Sequence, residues 1–234
     1  MIINPVIQQR NSGLLDTSLK NARMEFISHI SGPVNESFSS FFSYDWISVF
    51  VYPETLLTFI QCARMKYRKK EIYWIFSDKK FTKEKQNLSY ADLRTRKFHI
   101  LPNQPLFVFS PFFSLENIGV FQSLCDANIV RGENSLCQAL ISGKPVLWDI
   151  YKEKNDAHLE KIEDSLGFLR SFFSEDTFNE YARIFREFNS GAKDTALLDF
   201  FETTEEFQSG FEKIGEYVRG KCDLVEKLEK ILEE

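Results

Sequence analysis

An arginine, a carboxylate, an amide and a hydroxyl fall between positions 131 and 135, as Arg131, Glu133, Asn134 and Ser135, grouped around Gly132. Arginine grips phosphate-type oxygens as a fork, and a serine hydroxyl donates one further hydrogen bond. Glu133 cannot meet an anion favourably. Its carboxylate suits another task, such as orienting a sugar hydroxyl or an incoming cationic group. A local structural explanation competes: Ser135-Leu136-Cys137-Gln138 fits the S-x-x-Q capping box, and Glu133 would complement a helix dipole. His158, in the first turn of the next helix, is more often structural or exposed than catalytic at such a place. Asp149 and Asp156 stand where a strand end and a helix cap are expected. Spacing assembles no Ser/His/Asp, paired-carboxylate or metal-ligand constellation.

These residues depend on the elements around them. Residues 127–130 alternate small or polar with branched apolar side chains and predict a strand. A tight Arg131-Gly132 turn leads to a helix opening at Glu133-Asn134-Ser135, which Gly143-Lys144-Pro145 stops. A second apolar strand is predicted over 146–151. A strand feeding a helix through a short polar turn is where α/β folds hold anions, because free N–H groups and the positive dipole end converge there. Upstream, Leu15, Leu19, Ala22, Phe26 and Ile30 mark one face of a helix over 14–30. The near-continuous apolar run WISVFVY (46–52) predicts a buried parallel strand. Pro53-Glu54 starts a helix with proline in the first turn, and EIYWIF (71–76) predicts a further strand. A solvated connection over 77–96, with a short helix at Tyr90-Ala91-Asp92-Leu93, leads to short strands at 98–101 and 106–109. A helix over 115–124 follows. After Tyr151 the strands stop, and helical patterns cover 156–173, 175–188, 193–202 and 204–233. Apolar strands alternating with helices predict an α/β fold with a Rossmann-like parallel sheet and a helical C-terminal segment, without the GxGxxG of a dinucleotide site. The expected divisions are 1–30 as a linker helix region, 31–174 as the Rossmann-like domain and 175–234 as helices.

The chain has 234 residues, enough for one large or two small domains. With 43% hydrophobic and 27% charged residues it has the composition of a globular protein. The bias lies in 24 Phe, which imply a well-filled core or an apolar contact surface. A net charge of −5 argues against a nucleic-acid partner, and the basic run 64–70 complements the end of a predicted helix. Four scattered cysteines (Cys62, Cys125, Cys137 and Cys222) without CxxC spacing argue against structural zinc and fit a reducing, cytoplasmic setting. The N-terminus MIINPVIQQRNSG lacks the features of a leader. No apolar run approaches the roughly 20 residues of a membrane span.

The stretch CDANIVRGENSLCQALISGKPVLWDIY, followed by DAHLEKIEDSL, resembles the hallmark of the elongation factor P arginine rhamnosyltransferases, the EarP family. Ser48-Val49-Phe50-Val51-Tyr52, the segment from Leu101-Pro102 to Phe112, the helix with Arg23 and Phe26, and the tail around Phe185–Asn189 and Cys222-Asp223-Leu224 extend the likeness over nearly the whole chain. The resemblance implies the C-terminal half of a GT-B glycosyltransferase, in which two Rossmann-like domains face across a cleft. It implies that Arg131, Asn134 and Ser135 contact the diphosphate of dTDP-β-L-rhamnose, that Tyr52 and Phe112 pack near the nucleotide, and that Glu133 is the carboxylate needed for turnover. Rhamnose would pass with inversion to an arginine of elongation factor P. No cofactor or metal is implied, since Arg131 and the helix N-terminus can neutralise the leaving diphosphate. Asn134 stands where the family pattern has Asp, Leu115 where it has Gln, and Lys152 where it has Pro. The resemblance further implies that the family's N-terminal domain, with its catalytic Asp, would have to be supplied separately. Alone, the chain should hold the donor weakly and transfer little. Two other readings are a non-catalytic relic binding a nucleotide or protein partner, and a helical interaction protein working through its C-terminal segment.

Overall fold

The computed structural model describes residues 17–31, 41–65, 71–76, 91–92, 99–101, 106–110, 113–152 and 157–221. The chain divides into two compact units, Met1–Phe50 with Arg64–Asp126, and Val51–Ala63 with Ala127–Glu234.

In the first unit, helix α1 (Thr17–Ser31) presents Leu19, Ala22, Phe26 and Ile30 to the core, as their spacing predicts. Strand β1 (Asp45–Val49) stops at Val49 rather than running on to Tyr52. It pairs in parallel with β2 (Glu71–Phe76), Trp46 opposite Ile72 and Val49 opposite Ile75. All six residues of β2 are buried, which explains its unbroken apolar sequence. Glu71, the buried exception, accepts the Tyr73 hydroxyl at 2.6 Å. The short helix expected around Ala91 is instead strand β3 (Ala91–Asp92). It pairs antiparallel with β4 (His99–Leu101), which is antiparallel in turn to β5 (Leu106–Ser110). The parallel sheet that the sequence predicts thus carries an antiparallel edge at β3 and β4. Residues 102–105 are too few for the crossover that a parallel pair needs. β5 rejoins β2 in parallel register, Ile72 opposite Leu106. Helix α3 (Leu115–Leu124) is capped by Ser114, whose hydroxyl accepts the Asn117 N–H. It delivers Phe121 between Phe26, Trp46, Trp74 and Phe76, with ring centroids 5.3–5.9 Å apart.

In the second unit, α2 begins with Pro53 in its first turn and continues to Met65, its last two residues belonging to the first unit. Strand β6 (Ala127–Arg131), helix α4 (Glu133–Ser142) and strand β7 (Val146–Asp149) follow in the predicted order, with β7 ending at Asp149 rather than at Tyr151. β6 and β7 are parallel, Val130 opposite Trp148 and Arg131 opposite Asp149. Then come α5 (Ala157–Leu169) with a 3-10 turn at Arg170–Phe172, α6 (Glu175–Ser190) and α7 (Lys193–Lys221). The two helices expected over 193–202 and 204–233 are continuous through the described residues. Thr203 and Thr204, which look like a break, donate their hydroxyls to the carbonyls of Asp199 (2.9 Å) and Phe200 (2.5 Å), and stay helical.

Much of the phenylalanine excess is core. Tyr181 of α6 is buried with its ring stacked at 5.8 Å on both Phe173 and Phe185, and it meets Phe207 and Phe211 of α7 edge-on. Its hydroxyl donates to the Val146 carbonyl at 2.8 Å, tying α6 to β7. Burial pushes the Tyr181 phenol far above its ordinary range. Arg183 binds Glu180, Glu187 and Asp199 at 2.6–2.8 Å, joining α6 to α7.

α7 also reaches α4. Gly143, left-handed at φ 69°, ends α4, and Gly215 of α7 lies so near that an added Cβ would sit 2.8 Å from the Gly143 Cα. Arg219 donates to the Ile141 carbonyl and completes this contact. Because backbone, not a flexible side chain, would have to yield, Gly215→Ala should destabilise the protein by about 1–3 kcal/mol. Urea unfolding checks this.

Candidate functional site

β6 places Arg131 as its last residue, and Gly132 then turns the chain at φ 72°, a conformation open to glycine because it lacks Cβ. Gly132 is the N-cap of α4, and the first intrahelical bond runs from the Leu136 N–H to the Gly132 carbonyl at 3.1 Å. The capping-box explanation for Ser135 therefore does not hold. Ser135 lies in the first turn, not at the cap, and the cap residue has no side chain to donate. The N–H groups of Glu133, Asn134 and Ser135 have no partners within the helix, and this turn, with Glu133 and Asn134 exposed, carries the positive pole of the α4 dipole.

Arg131 is half-buried, and its guanidinium lies 4.7 Å from the centre of the Tyr52 ring. Tyr52 follows β1 and precedes α2, and its ring leans on Tyr151 at 5.7 Å. Partial burial pushes the Tyr52 phenol above its ordinary range, against the lowering influence of Arg131. Glu133 and Asn134 are exposed and Ser135 is half-buried. The Glu133 carboxylate stands 3.8 Å from the Lys161 ammonium of α5, in a solvent-screened pair. The structure thus gathers Tyr52 and Arg131 beside the first turn that carries Glu133, Asn134 and Ser135. Phe112 lies outside the described residues.

Two further groups belong to the arrangement. Asp149 is indeed a strand-end residue, but it is buried. One of its oxygens accepts the Tyr52 backbone N–H at 3.0 Å, and the other meets the Lys193 ammonium at 2.6 Å. Lys193 carries no signal in the motif itself, since it lies far down the chain at the start of α7. Its one cue is a cation in a helix first turn, where the dipole disfavours it. His158 is buried, and its Nδ1 has no hydrogen-bond partner among the described residues. Among the described residues, no three His, Cys, Asp or Glu side chains converge as a metal site requires. No described helix is long and apolar enough to cross a membrane. Chemically, the corner can hold a compact, multiply charged anion between amide hydrogens, a guanidinium and a hydroxyl, with one exposed carboxylate alongside.

A family model described as Elongation-Factor P (EF-P) rhamnosyltransferase EarP matches residues 4–233. A protein-arginine rhamnosyltransferase of Neisseria meningitidis is 27% identical over 124 residues, covering 50% of this chain and 32% of that protein. One of Pseudomonas putida is 37% identical over 102 residues, covering 44% of this chain and 26% of that protein. The matched segments thus span less than a third of the length of these relatives. A solved structure, concerned with the structural basis for EarP-mediated arginine glycosylation of translation elongation factor EF-P, superposes with a TM-score of 0.62 at 21% identity. It covers 94% of this chain and 72% of the other, and shows a shared fold. With its β6–α4 corner built as described and the family model extending over residues 4–233, this chain belongs to the EarP family.

Proposed function

We propose that the chain is the donor-binding part of a protein-arginine rhamnosyltransferase of the inverting GT-B type. It holds dTDP-β-L-rhamnose for transfer to an arginine of elongation factor P. The observation that carries this reading is the first turn of α4, uncapped by any side chain and directly following Arg131. In the reaction the glycosidic bond to the diphosphate breaks, one to the arginine nitrogen forms, and the proton that this nitrogen sheds passes to the catalytic carboxylate of the family's N-terminal domain, so negative charge grows on the departing dTDP. Donors fixed in advance stabilise that charge without reorganising. Arg131, the amides of α4 and the Ser135 hydroxyl supply them, and Asn134 can add its side-chain amide, where a carboxylate would repel phosphate. Tyr52 presents Arg131. Glu133 is exposed beside this anion and can orient the incoming cationic guanidinium. Cysteines that form no disulfide among the described residues (Cys62, Cys125 and Cys137) accord with work in the reducing cytoplasm.

Calorimetric titration with dTDP and dTDP-rhamnose tests the reading. Arg131→Ala should weaken binding by about tenfold to a hundredfold, the worth of a charge-assisted contact, and Ser135→Ala by about fivefold. Undiminished affinity in the folded double variant would overturn the assignment. Mass spectrometry of elongation factor P extends the test to turnover. The chain is assayed alone and together with the N-terminal part of a relative, and Glu133→Gln should abolish any rhamnosylation found.

A further inference from the structure

We propose that Lys193 is a positioning residue of the donor site, acting through Asp149 and Tyr52 on Arg131; this rests on the reading just given. Lys193 opens α7 with a positive charge at the positive end of the helix dipole, so its residue type opposes its own helix. Its long side chain is nonetheless held in place. The ammonium lies 4.2 Å from the centre of the Phe188 ring and 2.6 Å from Asp149 Oδ1, with 17% of the lysine side chain exposed and 2% of the aspartate's. An ion pair withdrawn from water that far is retained where each charge needs the other.

The second oxygen of Asp149 shows what the pair holds. It accepts the backbone N–H of Tyr52, which lies beyond the end of β1 and outside any strand ladder. The buried carboxylate takes the role that a neighbouring strand carbonyl would have there. Tyr52 then offers its ring face to the Arg131 guanidinium. The opposition of Arg131 and Asp149 across the β6–β7 register keeps both ends of this relay at one level of the sheet. Without the ammonium, a lone buried carboxylate takes up a proton or turns toward water. Either change frees Tyr52 and lets the guanidinium drift from its ring. A helix outside the anion corner thereby sets the direction in which Arg131 points.

Wild type, Lys193→Met, Lys193→Arg and Arg183→Met are compared by dTDP titration and by the NMR ring-current shift of the Arg131 Nε–H. The shift reads the Tyr52 contact without ligand. Lys193→Met should weaken dTDP binding about tenfold and move the Arg131 signal toward its unshielded position. Lys193→Arg should restore both. Arg183→Met, which severs another tie between α6 and α7, should lower the melting temperature and leave both readouts unchanged. If Lys193→Met does not fold, Lys193→Gln, neutral but still a donor to Asp149, must move both readouts in the same direction. Unchanged affinity and shift in a folded Lys193 variant, with wild type binding dTDP, overturn the positioning role and leave the donor reading standing. Failure of wild type to bind either dTDP or dTDP-rhamnose overturns both.

Discussion

Arg23→Leu should destabilise the first unit by about 3–5 kcal/mol, the range seen when one partner of a buried ionic network is removed. Arg23 is fully buried on α1, and its guanidinium is spent on four acceptors. Nε donates to the Leu124 carbonyl at 2.9 Å, Nη1 to the carbonyls of Phe42 (3.2 Å) and Tyr44 (2.6 Å), and Nη2 to Asp126 at 2.8 Å. Asp126 also accepts the Trp46 N–H at 2.8 Å, and the guanidinium plane lies 4.8 Å from the Trp46 ring. Leucine fills part of the volume but leaves a carboxylate and several carbonyls without their donor. Arg23→Lys keeps the charge and loses the planar fork, so it should recover less than half of the loss. Trp46 and Trp74 lie in this core, so tryptophan fluorescence during urea unfolding reads the effect directly. A loss below about 1 kcal/mol would mean that water replaces the arginine, and the account of this core would fail.

Asn189→Leu is the second large effect expected, about 3 kcal/mol, and it falls in the second unit. Asn189 is buried near the end of α6. Its Oδ1 accepts the Ile150 N–H at 2.9 Å, and its Nδ2 donates to the carbonyls of Trp148 and Phe185, each at 3.0 Å. The side-chain amide pairs with β7 much as a strand peptide would, on both sides of Asp149. Leucine matches its size but leaves a buried N–H and a carbonyl unpaired, which accounts for most of the cost. The dTDP affinity of this variant should also fall, because Asp149 and Tyr151 hang on the stretch of backbone that Asn189 fixes. Denaturant unfolding and titration on the same sample separate the two effects.

The β6–α4–β7 corner was legible because its signals are local: apolar strands, a glycine able to take positive φ, and Gly143-Lys144-Pro145 as a stop. Ser135 misled because S-x-x-Q describes a cap as well as a first turn, and the choice rests on the conformation of Gly132. The antiparallel edge left a trace in the short connection 102–105, which the apolar pattern outweighed. β1 ends at Val49 even though Phe50, Val51 and Tyr52 are good strand residues, since the Tyr52 N–H goes to Asp149 rather than to a ladder. That partner, like Lys193 and Asn189, comes from a distant part of the chain, and no periodicity announces it. Residue types pointed to an anion met by Arg131 and Ser135, with Glu133 left for a sugar hydroxyl or a cationic group, whereas the expectation that the anion is a sugar nucleotide's diphosphate came with the family resemblance.

The close approach of Gly215 to Gly143 has a dynamic consequence. α7 is 29 residues long, about 44 Å at the helical rise, and is pinned at its start to the last residue of β7 and near its end to the last turn of α4. A rod held at two such points cannot fray from one without loading the other. Amide hydrogens of α4, β7 and α7 should therefore exchange with solvent through one shared opening event, with a common free energy. Proteolytic access to the far turns of α7 would then track the loss of the anion corner itself.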